Sequence, residues 1–153
     1  MELDPRWWRI SRHGTAPHVA LQSIQEYAAL AVFLDEKSDP CGAAGLADVS
    51  GAATCGTLDL VAMPGAEPRV TQIAPELVQA AFMASPIRHL YVERFDDDPD
   101  LLASAPCFEL EVRLPEFAFV DGRLVDRLVF GASRSDVEAM TDSELPVPET
   151  SDA

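Results

Sequence analysis

Apolar and polar positions along the chain change period several times, and each change marks an element. In PRWWRISR, Trp8 and Ile10 alternate with Trp7, Arg9 and Ser11, so residues 6–12 read as a strand. Residues 18–37 carry two patterns at once. Leu21, Ile24, Tyr27, Ala28, Ala31 and Leu34 recur at helical spacing, while the second half, YAALAVFLD, also suits a buried strand. We take the helix, with the strand as alternative. Over 38–56, Pro40, Gly42, Gly45, Gly51 and Gly56 interrupt any period, and a loop is expected. Thr57–Met63 returns to a strand pattern and closes at Pro64-Gly65. Residues 74–85 read as a helix: Pro75 suits a first turn, Glu76 suits the positive end of the dipole, and Pro86 follows the last turn. Leu77, Val78, Ala81 and Phe82 give that helix one apolar face.

From Ile87 the period is two. IRHLYVERF is a strand, and residues 95–106 form a loop with a short helical turn. In FELEVRL, Phe108, Leu110, Val112 and Leu114 face one way, and Glu109, Glu111 and Arg113 the other. FAFV and RLVDRLVF flank Asp121-Gly122, the pair that supplies the positive φ angles of a type I′ hairpin turn. After Gly131 the pattern fades. Residues 134–153 hold six acids and two prolines, so a short amphipathic piece at most and then an acidic, disordered tail are expected. Consecutive late strands with a hairpin imply an α+β fold: a mainly antiparallel sheet with one or two helices packed on one face, as one domain over 1–133.

Composition narrows the functional classes. A chain of 153 residues is long enough for one packed core. Its 26 acids against 11 bases leave a formal charge of −15, which disfavours nucleic acid and anionic membranes as partners. Ten of the bases are arginine, and Lys37 is the only lysine. No apolar run approaches membrane-spanning length, and the first residues lack the apolar stretch of a secretory signal. Cys41, Cys55 and Cys107 are odd in number and widely spaced, which suits reduced thiols and a cytoplasmic location.

Asp96, Asp98 and Asp100 match the first ligand positions of a calcium-binding loop, but Leu101 replaces the required glycine and Cys107 the final glutamate. GAAGLADVSG lacks the lysine and spacing of a phosphate loop. The cysteines and His13, His18 and His89 do not form the close pairs of a zinc site. No cofactor, metal ligand or catalytic residue follows from these motifs. Asp96, Asp97, Asp98 and Asp100 therefore read as a charged surface for a basic partner. Trp7 and Trp8, flanked by Arg6, Arg9 and Arg12, read as interface anchors. The expectation is a small acidic protein-binding module without enzymatic activity: an inhibitor, immunity protein or chaperone for a basic protein partner or client. One alternative is a small α+β enzyme with a pocket between helix and curved sheet, with His89, Cys107 and Glu109 as first candidates. Another is a structural subunit of a homo-oligomer.

Overall fold

The computed structural model describes residues 27–47, 49 and 54–143, the last three by backbone alone. Six strands form one sheet: β1 (Ala29–Leu34), β2 (Pro40–Ala47), β3 (Cys55–Ala62), β4 (His89–Phe95), β5 (Glu109–Val120) and β6 (Arg123–Ser133). Two helices accompany them, α1 (Glu67–Ala84) between β3 and β4, and α2 (Arg134–Ser143) after β6. The strand order is β1-β2-β3-β4-β6-β5. Every pairing is antiparallel except β3 with β4, which α1 connects. This is the expected α+β architecture.

The core lies between α1 and one face of the sheet. Val70, Ala74, Val78, Ala81 and Phe82 line the buried face of α1. They meet Ala44 and Leu46 of β2, Leu58 and Leu60 of β3, and Leu90 and Val92 of β4. Val70, Val78, Ile87 and Leu90 are fully buried, each removing apolar area worth about 1.5–3 kcal/mol.

Local chemistry explains the element boundaries. Asp121 and Gly122 have φ of 48° and 82°, as the type I′ hairpin requires. The turn from β3 into α1 is type II: Pro64 takes the second position, Gly65 has φ of 86°, and the Ala66 N–H donates to Met63 O at 2.9 Å. Helix α1 starts at Glu67, with Pro68 in the first turn, so Pro75 is internal and not the start. Proline there leaves the carbonyl of Thr71, four residues back, without its helical donor. The Ser104 hydroxyl donates to that carbonyl instead.

Three other expectations change. Residues 29–34 are strand β1, the alternative and not the helix. Residues 40–47 are strand β2 and not loop, because its glycines meet close neighbours. A Cβ on Gly42 would fall 2.6 Å from Val61 O and 2.7 Å from Val70 Cγ2. Residues 134–143 are helix α2, more than the short amphipathic piece expected there, with Val137 buried in the core. The rest of the tail, and the strand expected at 6–12 with Trp7 and Trp8, lie outside the described residues. Among the described residues no helix is long and apolar enough to cross a membrane.

Candidate functional site

Two features of the sheet create concave space. The first is a wedge. β3 and β4 pair only at Cys55–His89, Gly56–Leu90 and Thr57–Tyr91. Beyond these residues Leu58–Ala62 and Val92–Phe95 run on without pairing to each other, and α1 begins at the end of β3.

The second is a cavity of about 750 Å³ where α2 meets the ends of β4, β5 and β6. Its walls include His89, Cys107, Glu109, Glu111, Ser133 and Asp136. Register explains the convergence. His89 pairs with Ser133, Tyr91 with Gly131, and Glu109 with Gly131, so these side chains share the sheet face opposite the α1 core. Glu111, at the irregularity between Leu110 and Val112, keeps to the face of Glu109 two positions before it. Its side chain lies over Gly131, where a Cβ would stand 2.6 Å from Glu111 Cδ and 3.1 Å from Tyr91 Cε1. Gly131 thus leaves room for a carboxylate beside a phenol.

Asp136 is fixed by a capping box at the start of α2. The Ser133 N–H donates to Asp136 Oδ2 at 3.0 Å, and the Asp136 N–H donates back to Ser133 Oγ at 3.2 Å. The Ser133 hydroxyl also donates to Oδ2 at 2.5 Å. These Ser133 bonds hold the Asp136 carboxyl below the usual carboxylate range, and nearby His89 contributes. Burial raises the Tyr91 phenol above its ordinary value, with Glu111 and Cys55 adding to the effect, so it stays protonated at neutral pH. Burial likewise pushes the Cys107 thiol up, and Asp136 adds to it. A protonated thiol is a poor nucleophile, so Cys107 serves here as a wall. Glu109 and Glu111 are exposed, and their carboxylates make no hydrogen bond or ion pair with any described residue.

The sequence candidates distribute unevenly. His89, Cys107 and Glu109 come together in the cavity. The Asp96–Asp100 carboxylates instead hold their own turn. Asp96 accepts the Asp126 N–H at 3.2 Å, Asp97 pairs with Arg123 at 2.7 Å, Asp98 accepts the Phe95 N–H at 2.9 Å, and Asp100 accepts the Leu102 N–H at 3.1 Å. Tyr91, Gly131 and Asp136 were not singled out. The Ser133–Asp136 spacing was the legible signal for the last of these.

No protein-family model and no curated protein sequence matches the chain. Its fold does match solved structures. The spermidine N-acetyltransferase of Vibrio cholerae, in complex with CoA and spermine, superposes with a TM-score of 0.69 at 14% identity, over 88% of this chain and 86% of that one. A protein assigned as a phosphinothricin N-acetyltransferase gives 0.66 at 17% identity, over 78% and 82%. At such identity the likeness shows the fold. It overturns the expectation of a non-enzymatic module, whether inhibitor, immunity protein or chaperone, because these solved neighbours are enzymes. It favours the alternative of a small α+β enzyme with a pocket between helix and sheet.

CoA bears a diphosphate, and a crossover helix offers such a group its free first-turn N–H donors. The residues that start α1 do not fit it. The Ala66, Arg69 and Val70 N–H groups donate to Met63 O and Ala66 O, and Pro68 has none. Glu67 adds a negative charge to the same turn.

Proposed function

We propose that this chain is an enzyme acting on a cationic amine, held in the cavity between α2 and the ends of β4, β5 and β6. Acyl transfer to that amine is the reaction class its fold supports. One observation carries the reading: three carboxylates, Glu109, Glu111 and Asp136, line one cavity, and two of them have no described partner. A net charge of −15 draws cations toward such a cavity. The structural neighbour from V. cholerae was solved with spermine, itself a cationic amine.

The chemistry follows from the side chains. An ammonium ion must lose a proton before its nitrogen can attack an acyl carbon. Glu111 is the acceptor in this reading, since it is a carboxylate beside the amine's seat. As the nitrogen–acyl bond forms, the bond from the acyl group to its donor breaks, and the nitrogen's second proton passes to the group that leaves. Tyr91, kept as a phenol, is the hydrogen-bond donor to the group that leaves. Glu109 and Asp136 hold the cation's charge. The free cysteines support a cytoplasmic location.

The test is calorimetric titration with spermine and with an uncharged polyol of similar length. Spermine binds, the polyol does not, and added salt weakens the binding. A Glu109→Gln/Glu111→Gln variant binds spermine about 30-fold more weakly, if each charge contributes about 1 kcal/mol. Equal affinity in that variant would remove the cavity from the reading.

A further inference from the structure

We infer that the described residues form no site for a diphosphate at the head of α1, so a thioester donor gains no affinity from its diphosphate there. The activity consequence rests on the acyl-transfer reading, but the binding consequence does not. In a strand–helix–strand unit with parallel strands, phosphates are met outside the carboxyl ends of the strands, at the N-terminus of the crossover helix. Here that place is the junction of β3 and α1, facing the wedge. Such a site needs several backbone N–H groups aimed outward, and commonly a glycine where the ligand comes close.

The junction lacks those donors. It is a closed type II turn, and its Ala66 N–H is taken by Met63 O at 2.9 Å. The Arg69 and Val70 N–H groups both donate to Ala66 O at 3.1 Å. Pro68 has no N–H, which leaves only that of Glu67 in the first turn. That residue's own carboxylate adds a negative charge to the turn, which opposes an anion there. Gly65 gives the turn its positive φ, so its presence is explained without a ligand.

Among the described residues the nearby cations do not compensate. Arg69 is a single exposed charge on the same turn as Glu67. Arg94, at the open end of β4, donates to Asp98 O at 3.2 Å and lies over the Phe130 ring at 5.1 Å.

The experiment titrates the full chain with CoA and, separately, with pantetheine, which keeps the thiol arm but lacks the nucleotide. Both are measured at low salt, where a phosphate contact shows most strongly. The expected result is affinities within about threefold of each other, or no binding by either up to about 1 mM. CoA binding about tenfold or more tighter than pantetheine would overturn the inference. The amine titration reports separately. Spermine failing to bind while CoA and pantetheine stay equal would remove the amine reading and leave this one standing.

Discussion

Gly131→Ala separates the chemistry of the cavity from the stability of the sheet. The new Cβ would stand 2.6 Å from Glu111 Cδ and closer still to its carboxylate, with Tyr91 Cε1 at 3.1 Å. The side chain of Glu111 is exposed and flexible, so it yields by swinging off β6. Gly131 is not among the positive-φ residues, so alanine fits its backbone. Alanine in a strand also recovers about 0.5–1 kcal/mol relative to glycine, which offsets the crowding. Stability should therefore change by no more than about 1 kcal/mol, or about 2–4 °C in Tm for a chain of this size. Amine binding should suffer more. Loss of a charge-assisted contact at a partly enclosed site is worth about 1–2 kcal/mol, or about 5- to 30-fold in Kd. Calorimetry with spermine and a thermal melt of the same samples measure the two effects. Unchanged affinity with unchanged Tm would show that Glu111 over Gly131 is no part of an amine site. A fall in Tm of about 10 °C or more would show that the strand and Tyr91 yield instead, contrary to the reasoning from a flexible side chain.

Three further outcomes are expected. The Arg134 guanidinium donates to Phe82 O, Ser85 O and Ile87 O at 2.7–3.2 Å, satisfying the end of α1. Arg134→Met leaves those carbonyls unpaired, costing about 2–3 kcal/mol and lowering Tm by about 5–10 °C in a melt. Ser104→Ala costs about 1 kcal/mol in denaturant unfolding, and the cost vanishes in a Pro75→Ala background, where residue 75 regains an N–H for Thr71 O. The folded Asp136 carboxyl sits below its unfolded value, so it contributes stability above the ordinary value of 3.8, lost as pH falls through the depressed one. The stability gap between the natural chain and Asp136→Asn should therefore narrow in melts between about pH 5 and pH 2.

What the sequence discloses depends on whether a residue's role is local. Asp121-Gly122 was legible because a type I′ turn is chemistry between neighbours. Gly42 and Gly45 misled, because glycine also signals a loop. Their actual cause is distant: Val61 and Val70 against Gly42, and the Tyr27 ring against Gly45. Pro75 misled similarly, since its tolerance inside α1 depends on Ser104, far along the chain. The site follows the same division. His89, Cys107 and Glu109 were visible as chemical types, but only the pairing of β4, β6 and β5 brings them together. Gly131 was visible only as the point where a strand pattern ended.

The acidic charge shows the difference most clearly. By sequence, Asp96, Asp97, Asp98 and Asp100 form the densest negative cluster and the natural place for a partner. In the fold each is occupied, by a backbone N–H or by Arg123, in closing the turn after β4. Glu109 and Glu111 looked like an ordinary polar strand face, yet they meet Asp136 across a cavity without a described partner of their own. Density of charge is set along the chain, whereas availability of charge depends on what the fold has already bonded. A cation entering the cavity would gain carboxylates that no intramolecular bond must first release, and at the Asp96–Asp100 turn it would have to displace the bonds that hold the loop. That difference in cost, more than the total of −15, is why the amine is assigned to the cavity.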